Sequence, residues 1–267
     1  MIGFLIKKTF FDLWDNLFRV ALINLGFIAS LAFPVFIPGL LLSVPALSLA
    51  AMLAGILWCC VYLAAAALSL RALSDYGAFG FADFFRNLKA GWPAGVVMGL
   101  FAFFVWIMCT VAIPFYLSMS SPVGLLFAAL IFWTLVVAVL SLQFLPAVRA
   151  RLDTNLLKVL KKCFLIFFDN TGFCVFSLLH NLVILAVSLL LAFLFPGPAG
   201  ILLFLDEGLR LRLLKYDWLE ADGAAAKATA GGAKGRRRPI PWDAILIDER
   251  ERTGTRSVKN FIFPWKD

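Results

Sequence analysis

The apolar stretch ILLFLDEGLRLRLLKY (201–216) carries Asp206, Glu207 and Arg210 at its centre. Ionisable side chains in such a setting can relay protons, bind an ion or hold a charged solute. Their spacing also lets them neutralise one another on a helix, Asp206 with Arg210 at i,i+4 and Glu207 with Arg210 at i,i+3. Arg212 and Lys215 follow, with stems long enough to reach an aqueous surface. Four further polar residues, Asn24, Gln143, His180 and Asn181, lie in other apolar runs. At 1.5 Å per helical residue they and Arg210 fall about 8–12 Å from one membrane face. The sequence thus predicts a polar layer of Asn24, Gln143, His180, Asn181, Asp206, Glu207 and Arg210. Such a layer is either a hydrogen-bond network that glues a helical bundle or a transport or binding site.

Enzymatic chemistry has fewer residues to work with. His180 is the one histidine, with Ser177 a helical turn away, but no nucleophile-elbow motif or third triad member accompanies them. A histidine-based metal site lacks ligands. Neither a phosphate-binding loop nor a dinucleotide fingerprint occurs. Cys59, Cys60, Cys109, Cys163 and Cys174 are odd in number and form no CxxC, so they read as small buried hydrophobes. No catalytic residue, metal or cofactor is expected, and the chain reads as a non-enzyme.

The elements that must position the polar layer follow from composition. The 267 residues are 63% hydrophobic and 15% charged, against about 25% charged in a soluble domain. The fold class is all-α, a polytopic helical membrane bundle. Long uncharged runs argue against a membrane barrel, whose strands alternate apolar and polar. Met1–Ile6 is too short for the apolar core of a cleavable signal.

Residues 20–70 and 90–148 are free of charge. Each run exceeds the roughly 20 residues that cross a bilayer, and each has a proline-marked break, at Pro34, Pro38 and Pro45 or at Pro114 and Pro122. They divide into spans of roughly 18–36, 47–70, 93–115 and 122–147, and a fifth fits 172–194. Lys and Arg cluster before the first span, at 71–89, at 149–162 and after 206. The positive-inside rule makes all four places cytoplasmic, which calls for a sixth span, roughly 197–216. Each of its charges costs about 2.5–3.5 kcal/mol near a helix centre, against about 0.3–0.6 returned per Leu, Ile or Phe. That span therefore needs a hairpin partner and paired acids.

Three hairpins result, each led by a cytoplasmic interfacial amphipathic helix. Lys8, Asp12, Asp15 and Arg19 form a polar stripe in the first. Phe81, Phe84, Phe85 and Leu88 oppose Asp83, Arg86 and Asn87 in the second. Leu152, Leu156, Leu160, Phe164 and Phe167 line the third, opposite Asn155, Lys158, Lys161 and Lys162. Gly91, Gly95 and Gly99, and Ala46, Ala50 and Ala54, place small residues four apart and predict close helix packing.

Residues 1–218 thus form a membrane domain, 219–239 a flexible Ala/Gly-rich basic linker and 240–267 a cytoplasmic C-terminal peptide. Arg236, Arg237 and Arg238 suit anionic lipid. Trp242, Phe261, Phe263 and Trp265 would anchor the peptide either on a cytoplasmic partner or on the membrane surface. The lipid bilayer is the expected partner, a transporter complex or cytoplasmic protein a further one. Nucleic acid is not expected, because positive charge tracks membrane topology.

Three stretches, PVFIPGLLLSVPALSLAA (34–51), FADFFRNLKAGW (81–92) and FLPAVRARLDTNLLKVLKKCFLIFFDN (144–170), resemble the YesL-like family of bacterial integral membrane proteins, a family of unknown molecular function. Their order, their spacing and the later FPGP turn are similar as well, over roughly residues 10–218. Members commonly lie in gene neighbourhoods for carbohydrate uptake. The resemblance implies an accessory or scaffold protein of the bacterial inner membrane near sugar transport, with both termini cytoplasmic. The alternative is a small-solute transporter using the polar layer. Family members usually carry small uncharged polar residues in the last span, and Asp206 and Glu207 depart from that.

Overall fold

The computed structural model describes residues 1–229, 240–254 and 256, and its ordered elements there are all helical. In chain order they are α1 (Ile2–Asp15), α2 (Leu17–Leu40), α3 (Pro45–Ser74) and α4 (Phe81–Ile107). A π-helical turn (Met108–Ala112) leads into α5 (Ile113–Ser118). Then come α6 (Pro122–Leu142), α7 (Leu145–Arg151), α8 (Leu156–Asp169), α9 (Thr171–Leu190) and α10 (Gly197–Thr229). Two short helices close the described chain, α11 (Trp242–Ile245) and α12 (Ile247–Thr253). Five stretches are long and apolar enough to cross a membrane: 17–40, 45–74, 81–118, 122–151 and 171–190. The protein is therefore a multi-pass helical bundle suited to a lipid bilayer. α10 has the length but is interrupted by Asp206, Glu207, Arg210 and Arg212.

The α2–α3–α4 sheaf is packed through small residues. A Cβ on Gly91 would sit 3.2 Å from the backbone of Ala64 and Ala65, and one on Gly95 would collide with the Val61 backbone. Gly99 faces Leu57 in the same way. Gly55 of α3 approaches Phe33 and Pro34 of α2. The alanine ladder departs from expectation: Ala46, Ala50 and Ala54 are exposed on α3, whose contacts to α2 and α4 run through other faces.

Two of the three leading helices also differ from the sequence reading. α1 does not turn its whole polar stripe to water. Leu5, Lys8, Phe11 and Asp12 are buried against α10, so half of the polar stripe points into the bundle. The segment 81–90 is the first part of α4 itself, continuous past Gly91 and Pro93. Pro93 lies in the interior of α4, where it has no N–H to give to the carbonyl four residues back, and the helix runs on through it. α8 does lead α9: Asn155 caps it, Oδ1 accepting from Leu157 N at 3.1 Å, and Val159, Cys163, Ile166 and Phe167 are buried.

α10 is the axis of the molecule. Residues 202–209 are buried on every side, by α1, α2, α3, α7 and α9. It also continues through 219–229, the first part of the expected linker. That segment is alanine-rich, and alanine is the strongest helix former.

Candidate functional site

Successive residues on a helix point about 100° apart, so Asp206 and Glu207 address different neighbours. Asp206 faces α3 and α7. Its oxygens accept from Arg151 Nε at 2.8 Å and Nη2 at 2.5 Å, and from Ser74 Oγ at 2.6 Å. Glu207 faces α1, accepting from Lys8 Nζ at 3.3 Å and from the Thr9 hydroxyl. Lys8 also donates to the Asp12 carboxylate and, at 3.2 Å, to the Ser74 carbonyl. Burial pulls the Lys8 ammonium down, but the carboxylates of Glu207 and Asp12 outweigh it and hold the group above its ordinary value.

Arg210 lies one turn further on. It donates to Asp75 at 2.9 Å, to Glu249 at 2.6 Å and to the Ser74 carbonyl. The Ser74 carbonyl belongs to the unsatisfied C-terminal end of α3, where cations are favoured by both hydrogen bonding and the helix dipole. Arg71 acts likewise at the end of α7, donating to the Ala150 carbonyl. Tyr76, in the loop after α3, lies with its ring 4.4 Å from Lys8 Nζ and donates its hydroxyl to Glu249 at 2.7 Å. Burial pushes that hydroxyl up to about 12.

The ionic layer therefore joins α1, the end of α3, α7, α10 and α12. It corrects the expected local pairing. Asp206 pairs with Arg151 and Glu207 with Lys8, while Arg210 turns to Asp75 and Glu249. Neighbouring helices supply cations from both sides, leaving Arg210 free to bridge α3 and the tail.

The expected polar layer is not a single cluster. Asn24 sits at the turn before α10, where Nδ2 donates to the carbonyls of Leu194 and Pro196 and Oδ1 accepts from Ala199 N. Gln143 donates to the carbonyls of Leu140 and Cys174, both at 2.9 Å. His180 stacks on Phe204 with ring centroids 3.8 Å apart. Gln143 Oε1, Ser177 Oγ, His180 Nδ1 and Asn181 Oδ1 have no hydrogen-bond partner among the described residues. Asp206, Glu207 and Arg210 belong to the ionic layer instead. Helical rise sets how far along its helix a residue lies, but not which way its side chain points.

Sequence reasoning missed Lys8, Thr9, Asp12, Ser74, Asp75, Tyr76, Arg151 and Glu249 as members. The signal for the first two acid–base partners was present as the spacing of Lys8 and Asp12, but a polar stripe on an amphipathic helix reads equally as a water-facing one.

The described part of the C-terminal peptide, 240–254, folds back on the bundle. Leu246 is fully buried, and the Arg212 guanidinium lies 5.8 Å from the Trp242 ring. Lys7 donates to the Gly254 carbonyl at 3.2 Å, and Arg256 forms two 2.9 Å bonds to Asp15. Arg236, Arg237, Arg238, Phe261, Phe263 and Trp265 lie outside the described residues. A separate groove of about 600 Å³ runs between the α1–α2 junction and the start of α4, lined by Phe18, Leu22, Tyr62, Phe84 and Arg19 among others. It shares no residue with the ionic layer. Among the described residues no cluster of His, Cys, Asp and Glu could hold a metal ion.

Comparison with known proteins finds no matching family model, no matching curated protein and no matching solved structure.

Proposed function

We propose that the chain is a non-enzymatic accessory or scaffold protein of the bacterial inner membrane. The observation that supports this reading is the partnering of the ionic layer. Asp206, Glu207, Asp75 and Glu249 each accept from donors on other elements, and Lys8, Arg151 and Arg210 each bridge two elements. A layer cross-linked in this way fixes helix positions, whereas a transport site must let groups separate. The resemblance to YesL-like proteins directs the role towards carbohydrate uptake.

Purification in mild detergent followed by mass spectrometry tests the reading: a transporter subunit recovered in fixed ratio is expected. Purification of the chain alone, together with thermal stabilisation by a small solute, would overturn it. The clustering of Lys and Arg supports cytoplasmic termini. Reporter fusions after residues 80, 160 and 230 should then read cytoplasmic, and those after 40 and 119 external.

A second reading, a proton-coupled small-solute transporter, rests on one feature. Lys8 is the one cation within ion-pair distance of both Asp12 and Glu207 among the described residues. Two carboxylates against one ammonium leave room for an exchangeable proton. Proton uptake on solute addition, lost in Glu207→Gln, would favour it over the scaffold.

A further inference from the structure

The turn between α9 and α10 lies at an unexpected depth. Asn24 binds its backbone, and Asn24 is 16 residues before the end of α2 at Leu40, about 24 Å of helix. Ala199, just after the turn, clusters with Ala66 and Ala67 of α3. Those are 21 and 22 residues beyond Pro45, the start of α3, roughly 32 Å away along the helix. In the other direction Ala199 is seven residues from Asp206 and the ionic layer, about 10 Å. The α2–α3 turn is thus far above the α9–α10 turn. α9 stays antiparallel beside α10 and turns back with it: Phe173 meets Gly208, and the Ser188 hydroxyl meets Gly197 N.

Most N–H groups of the turn have a partner within the protein. The N–H groups of Leu191, Ala192, Phe193 and Leu194 donate to carbonyls within the turn and the end of α9. Gly197 N donates to Ser188 Oγ, Ala199 N to Asn24 Oδ1 and Gly200 N to the Pro196 carbonyl. Pro196 and Pro198 have no N–H to satisfy. Non-helical backbone is tolerated at membrane depth where protein covers it, and here Asn24 of α2 holds the Leu194 and Pro196 carbonyls while Pro196 and Gly197 are buried. Outward, the turn offers Leu190, Leu191 and Leu194, with Leu190 85% exposed. The α5–α6 turn, by contrast, carries Ser118, Ser120 and Ser121.

We propose that α9 and α10 form a re-entrant hairpin. It enters the bilayer from the side of the ionic layer, turns at 191–196 among the acyl chains of that leaflet, and returns to the same side. The surface formed by Leu190, Leu191 and Leu194 is a lipid-contact surface, and its partner is hydrocarbon, not periplasmic water. Four full crossings then remain, by α2, α3, the 81–118 helix and α6, and the two ends of the chain still share a side. The inference depends on membrane insertion but not on the scaffold reading.

Single cysteines test it, placed in a full-length chain whose five native cysteines are replaced and whose thermal midpoint matches the parent. Ser43→Cys and Ser120→Cys should react with a membrane-impermeant maleimide from one side of the membrane, and Thr154→Cys from the other. Leu190→Cys should react from neither side, and a nitroxide there should collide readily with oxygen and rarely with a water-soluble nickel chelate. Labelling of Leu190→Cys from the side of Ser43 and Ser120 would establish a full crossing and overturn the proposal. Labelling from the side of Thr154 would place the turn in water and overturn it equally. The unmodified chain in lipid nanodiscs gives a check without substitution: hydrogen exchange should be fast at 118–121 and slow at 190–196, and fast exchange at 190–196 would sink the idea.

Discussion

α6 and α10 invert the usual relation between composition and burial. α6 is uncharged throughout and almost wholly apolar, yet Val123, Leu125, Leu126, Leu130 and Trp133 are exposed, Trp133 by 64%. α10 carries Asp206, Glu207 and Arg210, yet 202–209 are buried all round. In water the second helix would be outside and the first inside. In a bilayer the apolar helix is already solvated by lipid tails, which are as apolar as leucine, so nothing drives it inward. The charged helix has no such solvent and must find its partners in protein. The difference teaches where stability is concentrated: in the ionic layer and the small-residue contacts, not in the apolar surface of α6.

The comparison is broken most severely by removing the cation that α1 brings to α10. Lys8→Met leaves Glu207 buried with Thr9 as its one donor among the described residues, and should cost about 3–5 kcal/mol in reversible unfolding in detergent. Lys8→Met/Glu207→Leu should recover much of that loss, since Asp12 keeps some access to water. A double variant as weak as the single one would mean that α1 is held by packing rather than by charge.

Arg151→Leu should come next, because it strips Asp206 of two hydrogen bonds and its ion pair. A loss of about 3 kcal/mol is expected in the same assay. Arg210→Leu should cost less, about 1–2 kcal/mol, since its partner Asp75 is well exposed and its buried partner Glu249 keeps the Tyr76 hydroxyl as a donor. Equal losses would restore the local Asp206–Arg210 pairing that sequence spacing suggests. Gly95→Ala forces a methyl into the Val61 backbone and should cost about 1–3 kcal/mol, whereas Ala50→Leu on the exposed face of the same helix pair should stay within about 0.5 kcal/mol.

The smallest effect concerns pH. Asp169, at the end of α8, is held below the ordinary carboxylate value, chiefly by the Tyr216 hydroxyl and also by Lys215. A lowered folded-state pKa contributes stability that is present above the ordinary value and is lost as pH falls through the lowered one. The thermal midpoint of the parent should therefore drop more than that of Asp169→Asn between about pH 6 and about pH 3. Parallel pH profiles would show that Asp169 contributes nothing.

Much of the architecture was legible because membrane helices announce themselves by length and apolarity. The uncharged runs 20–70 and 90–148 each hold two membrane-length stretches, separated just before Pro45 and Pro122, whereas Pro34, Pro38 and Pro114 lie inside helices rather than breaking them. The glycines at 91, 95 and 99 meet α3 within one chain. What was illegible depended on direction. Lys8 and Asp12 are polar and four apart whether they face water or Glu207, and Ala46, Ala50 and Ala54 have the same spacing as a packing face without being one. Arg151 looked like one more positive charge marking a membrane side.

By itself, the amino-acid order determined that this chain is a helical bundle for a bilayer, that its charge gathers at one end of the helices, and that Asp206 and Glu207 need partners wherever α10 lies. Those results are additive over residues: transfer costs and helical rise depend on type and position along the chain. Only the tertiary structure decided which partners those are, that Glu249 of α12 joins them, and that the α9–α10 turn stops about 24 Å short of the α2–α3 turn. These depend on rotation about each helix axis and on where one helix turns back beside another. Hydrophobicity alone cannot set either one in a membrane, because lipid and protein interior solvate an apolar face almost equally.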